Sequence, residues 1–200
     1  MITAFDKNTA LILIDLQKGI VNRPAAHPVE EIVAHAAKLI DAFHEAGLPV
    51  VIVHVNPFGA AASMVRAEKR MIPADPAGQE KALESMLAAD FFSIVPEIEA
   101  HTHESDIRIT KTTWNAFAHT DLDSRLRSLA VTGIVLGGVS TSIGVESTAR
   151  TANEQGYNIT FATDAMTDGV KDAHENSLRY IFPRIGELGI TAEIIGMMKK

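Results

Sequence analysis

The 200-residue chain contains no cysteine. Disulfides, thiolate metal sites and a cysteine nucleophile are therefore excluded. It also lacks a basic surplus: 18 Lys and Arg stand against 25 Asp and Glu, a formal charge of −7. The basic residues are scattered, so no nucleic acid is expected as a partner. No apolar run approaches the ~20 residues of a membrane-spanning helix, so no membrane is expected either. Met1 to Thr9 shows no basic segment followed by an apolar stretch, and no signal peptide is expected there. Together with the absent cysteines this points to the cytoplasm. Repeats, low-complexity tracts and linkers are missing as well. What is present is ordinary for a globular protein, 46% hydrophobic and 22% charged residues, enough for one domain over residues 1–200 with a large core.

Short apolar runs alternate with amphipathic stretches. Leu11–Ile14, closed by Asp15, reads as a strand buried on both faces. Val29, Ile32, Val33, Ala36, Leu39, Ile40 and Phe43 recur at helical spacing, and Gly47 and Pro49 stop that helix. Val50–Val55 is a second strand. The segment 56–79, rich in Pro and Gly around a short helix over 62–69, reads as a lid or interface segment. A helix over 81–89, a strand over 106–110 nearer an edge, and a capping box at Thr120–Asp123 follow, with Leu122, Leu126 and Leu129 on one face. Then come a strand over 131–136, a helix over 145–155, a strand over 157–163 and a helix over 170–181. A short strand over 188–190 and a terminal helix capped by Thr191 close the chain. The alternation predicts βαβ units in a doubly wound α/β sheet.

Ligands of such sheets bind beyond the carboxyl ends of the strands. Three positions stand there: Asp15, Lys111 and the turn Gly137–Gly144. Read alone, each has a plain structural alternative. Asp15 is equally a strand-end residue capping a turn, Lys111 a solvated lysine, and the glycines a device for tight packing under a helix. The turn fits neither a dinucleotide fingerprint nor a phosphate-binding loop.

Three stretches in order, "LILIDLQ" at 11–17, "ITKTTWNAF" at 109–117 and "GGVSTSIGVESTAR" at 137–150, resemble the isochorismatase-like hydrolase family. "TDAM" at 163–166 is similar to the end of that family's fifth strand. The resemblance implies a Rossmann-like three-layer α/β/α sandwich with a six-stranded parallel sheet in the order 3-2-1-4-5-6. It also implies a non-proline cis peptide at Val139–Ser140. Most members use Asp, Lys and Cys, which maps the catalytic positions onto Asp15, Lys111 and Gly144, so glycine stands where the thiol belongs. Isochorismatases proper also carry glycine there and cleave a vinyl ether without a covalent intermediate. By that likeness Asp15 is the general acid and Lys111 orients it or a substrate carboxylate. Main-chain N–H groups around Ser140 to Gly144 would hold an anionic oxygen. A neighbouring lysine lowers an aspartate pKa, so burial must raise that of Asp15 for the acid role. The residues after the glycine, Val145 to Arg150, resemble the cysteine-bearing amidase branch instead.

Substrate-binding positions follow from the same motifs: Gln17, Trp114, Asn115, Phe117, Val139, Ser140, Thr141 and Ile143. Trp114 and Phe117 are either core or an apolar wall over a planar substrate. The family's Asp-x-His metal pair is broken here as His54-Val55-Asn56-Pro57, so neither metal nor cofactor is expected. His101-Thr102-His103-Glu104 reads as a solvated loop rather than a zinc site, and His174 as a packing histidine. The expected protein is a homo-oligomeric hydrolase of a small carboxylate-bearing metabolite, with residues 56–79 and 192–200 at interfaces. Alternatives are an amide hydrolase that uses water directly, or a small-molecule binder without catalysis.

Overall fold

A computed structural model describes residues 2–58 and 72–199. Six strands form one sheet: β1 (Thr9–Ile14), β2 (Val50–Val55), β3 (Ile107–Lys111), β4 (Gly133–Val139), β5 (Asn158–Thr167) and β6 (Glu187–Gly189). They lie in the order β3-β2-β1-β4-β5-β6, and every described pairing is parallel. The sheet and order expected from the resemblance are the ones observed.

The period-two alternation of the strands sorts side chains into two cores. Ile12 and Ile14 of β1 face one cluster with Val51, Val53, Ile134 and Leu136, covered by α5 (Leu122–Ser128) and α6 (Glu146–Glu154). Leu11 and Leu13 face the other, with Leu39, Ile40 and Phe43 of α2 (Val29–Glu45) and Ile194 of α8 (Thr191–Met198). Every residue of β1 is buried, as expected for a central parallel strand. β3, at the edge, alternates between buried and open positions.

Several boundaries differ from the sequence expectation. β4 runs on through Gly137 and Gly138 to Val139, and β5 runs on to Thr167, because the two strands resume pairing after a register shift at Leu136/Gly138. The helix expected over 145–155 begins as a π-turn over Thr141–Val145. The one expected over 170–181 is α-helical only over α7 (Lys171–Asn176), followed by a π-turn and a 3-10 turn at Pro183. The helix placed at 81–89 is α3 (Pro76–Ala88); Pro76 starts it, and the Asp75 side chain accepts from Gly78 N–H. The helix placed at 62–69 lies outside the described residues. No capping box forms at Thr120: its hydroxyl donates to Ala116 O at 2.6 Å and accepts from Leu122 N–H at 3.3 Å, not from Asp123. Leu129, just past the end of α5, is exposed rather than packed with Leu122 and Leu126.

Gly138 positions the site. Its φ is +115°, and a Cβ there would lie 2.1 Å from the carbonyl oxygen of Ile14. β4 thus closes on β1 one residue before Asp15. We expect Gly138→Ala to cost about 4 kcal/mol or more, read as loss of the urea unfolding transition or insolubility. A variant with an unchanged midpoint would contradict this close approach.

Candidate active site

Asp15 follows β1 with φ +52°, a left-handed turn that only a few non-glycine types tolerate. Its N–H donates to Val53 O at 2.9 Å, which ties the turn to β2. Lys111 is the last residue of β3, and its stem reaches past the end of β2. Lys111 Nζ lies 2.7 Å from Asp15 Oδ2 and 3.1 Å from Thr113 O. Both side chains are buried, at 2% and 8% exposure. The other carboxyl oxygen, Asp15 Oδ1, is buried without any hydrogen-bond partner among the described residues.

The two effects on Asp15 oppose each other. Burial disfavours its charged form, while the Lys111 ammonium favours it by charge and hydrogen bond. Burial wins, and the pKa rises from 3.8 to about 6.

Gly144, in the π-turn after β4, stands against this pair. A Cβ on it would meet Ile14 Cγ2 at 2.8 Å and lie 3.6 Å from Asp15 Oδ2. The described Val139–Ser140 peptide bond is cis. Asp15, Lys111 and Gly144 line one cleft of about 300 Å³ at the carboxyl edge of the sheet. Trp114, Val139, Ser140 and Ile143 line it too.

Four of the expected substrate-binding residues are placed elsewhere. Gln17 is fully buried and serves as a clamp: Oε1 accepts from Val55 N–H at 2.7 Å, and Nε2 donates to Val55 O and Phe91 O. Asn115 donates to Thr151 Oγ1 and accepts from Phe117 N–H, which closes the turn after β3. Phe117 turns into the core and stacks on Tyr157. Thr141 is buried, with its hydroxyl 2.9 Å from His174 Nδ1. His174 is a buried packing histidine against His27; burial and that neighbour lower its pKa. The histidine loop is held by other contacts: His101 meets Asp41 at 2.7 Å, and His103 stacks on His44.

The expected anion hole also differs. Asp168 Oδ2 already accepts from both the N–H and the hydroxyl of Ser142, each at 2.8 Å. Ile143 and Val145 N–H groups donate to Ser140 O at 3.2 Å. The protein's own carboxylate and carbonyl therefore occupy much of what a substrate anion was expected to use. Asp168 lines the cleft; β5 runs to Thr167 rather than to the expected 163, and only from that end does the strand-end rule point to it. Arg23, also on the lining, sits in a loop after the short α1 (Lys18–Val21) and carries no sequence signal.

The buried acid–ammonium pair thus lies in a cleft at the carboxyl edge of a doubly wound sheet, with glycine at position 144 beside it. Residues 9–193 match the model of the isochorismatase domain. The chain is 39% identical over 196 residues to YwoC of Bacillus subtilis, an uncharacterised isochorismatase family protein, covering 96% of this chain and 95% of that one. It is 38% identical to YecD of Escherichia coli O157:H7, described in the same words, over 96% and 97% of the two chains. A solved isochorismatase family protein from Burkholderia thailandensis superposes with a TM-score of 0.84 at 33% identity, over the whole of both chains. The chain belongs to the isochorismatase family, a family of hydrolases.

The raised pKa has a stability consequence with a definite sign. The native state holds the Asp15 proton more tightly than the unfolded chain does. The contribution of Asp15 to folding is thus full below pH 3.8 and lost as pH rises through about 6. Relative to Asp15→Asn, the wild type should lose about 2 kcal/mol of unfolding free energy between pH 4 and 7 in urea titrations. A wild type that gains on the variant with rising pH would show that the ion pair outweighs burial.

Proposed function

We propose that the chain acts as one domain and hydrolyses a small carboxylate-bearing metabolite by acid-assisted cleavage, with no covalent enzyme intermediate. The single observation that carries this reading is the Asp15 carboxyl group. It is buried in the cleft, its pKa sits near 6, and its Oδ1 has no partner within the described residues. A carboxylic acid in that state is a proton donor near neutral pH. Gly144 removes the alternative, since no thiol or other nucleophile stands where the family's cysteine would be.

With a vinyl ether, the steps balance simply. Asp15 Oδ1–H protonates the enol carbon, and the electron pair of the C=C bond forms the new C–H bond. The adjacent carbon becomes an oxocarbenium ion. Water adds to it and returns a proton to Asp15, and the hemiketal collapses to a carbonyl compound and an alcohol. Lys111, bonded to Oδ2, holds the carboxyl group in one orientation and steadies its anion once the proton has left. The exposed indole of Trp114 and the side chains of Val139 and Ile143 provide apolar wall. A cytoplasmic, self-associating enzyme completes this reading. The relatives' common family description supports hydrolysis, and the described residues hold no helix long and apolar enough to cross a membrane.

The test is turnover of isochorismate beside a panel of small amides, with Asp15→Asn as control. We expect kcat/KM for the vinyl ether to fall by ~10²–10⁴ in the variant. In the wild type it should be level below about pH 6 and decline above it, since the protonated form is required. A profile that rises through pH 6 on an amide would make Asp15 a base acting on water. Undiminished activity in Asp15→Asn would remove it from the chemistry, and no turnover of any panel member would favour a non-catalytic binder.

A further inference from the structure

Two cations line the cleft among the described residues, Lys111 and Arg23. Lys111 is already engaged by Asp15 Oδ2 and Thr113 O. Three N–H groups of the π-turn are likewise engaged. Asp168 fills its Ser142 N–H, Ser140 O takes those of Ile143 and Val145, and a second carboxylate would meet the charge of Asp168. Arg23 is different. It is exposed at the cleft wall, and no carboxylate of the described residues lies within ion-pair distance of its guanidinium.

Its position is also built. The guanidinium carbon stands 5.7 Å from the centroid of the Phe91 ring, over its face. Phe91 is buried and pressed against Gly19, where a Cβ would fall 1.8 Å from the ring. Lys18 N–H donates to Ser93 O at 2.9 Å and Gly19 N–H to Phe91 O at 3.1 Å, while the Lys18 side chain pairs with Asp90. The segment that carries Arg23 is therefore fastened to the 90–93 turn, and the aromatic face limits where the guanidinium can go. A planar fork with five donors suits a carboxylate better than a point charge does.

We infer that Arg23 is the specificity-determining anchor for the substrate's carboxylate, and that the Asp15–Lys111 pair and the 140–145 turn are not. The inference rests on the reading of the cleft as a site for a carboxylate-bearing substrate. It assigns the two ends of that substrate to different residues. The anionic end docks at the Phe91-backed guanidinium, and the reactive end reaches Asp15.

The chain's single tryptophan, Trp114, lies on the cleft lining and is 65% exposed, so its fluorescence reports occupancy without any turnover. The probes are cyclohexanecarboxylate and cyclohexanecarboxamide, which share a ring and differ in charge. We expect the wild type to prefer the acid by about tenfold or more, the scale of one charge-assisted hydrogen bond. Arg23→Gln should abolish the preference, Arg23→Lys should keep part of it, and added salt should weaken it. Arg23 is exposed, so these variants threaten the fold little. A preference that survives in Arg23→Gln, or that is absent in the wild type, overturns the assignment. If Asp15→Asn retains turnover while the Arg23 variants behave as expected, the proton-donor reading fails and the anchor stands.

Discussion

The contact between Lys111 Nζ and Asp15 Oδ2 is the interaction on which the rest of this structure depends. Placing an ammonium and a carboxylate out of water costs several kcal/mol per ion, and their attraction repays it only with good geometry and further hydrogen bonds. Lys111 has such support, a second bond to Thr113 O. Asp15 does not, since its Oδ1 has no partner among the described residues. The pair is therefore unequal. The ammonium is well held, and the carboxyl group is under strain to take a proton. A purely structural ion pair would satisfy both oxygens; here one carboxyl oxygen has no partner among the described residues.

The sheet supplies the placement. β2 separates β1 from β3, so a side chain from the edge strand must be long to reach the end of β1. Lysine is long enough, and here the whole side chain, ammonium included, is buried. On the other side, Gly138 lets β4 close on Ile14, which brings the π-turn and Gly144 up to the same carboxylate. Ile14 Cγ2 occupies space into which a side chain at 144 would push. A side chain at 144 would require the Ile14 methyl to shift.

Much of this is legible in the amino-acid order. Residues 11–14 are a continuous apolar run because a central parallel strand is covered on both faces, and the end of that run identifies Asp15; Lys111 is identified by the end of the alternating edge stretch before it. Other features are not legible, for physical reasons. Gln17, Asn115 and Thr141 look like site residues because they are polar and adjacent to motifs. Yet each is consumed by backbone or side-chain partners distant in sequence: Val55 and Phe91, Thr151, and His174. Polarity near a motif cannot reveal which hydrogen bonds the fold will satisfy. Asp168 was hidden by a register shift in β5 that extends the strand beyond its obvious apolar stretch. Arg23 gains meaning only from the Phe91 ring, 68 positions later in the chain.

The account turns on whether Asp15 is a weak acid in the folded protein. Selective ¹³C labelling of aspartate side chains and a carboxyl NMR titration, assigned with Asp15→Asn, measures this directly. The account requires the Asp15 resonance to titrate near pH 6, and to move higher still in Lys111→Met, where the opposing charge is gone. Titration at or below about pH 4 in the wild type would contradict it, because the ammonium would then hold the site as a fixed ion pair with no proton to give.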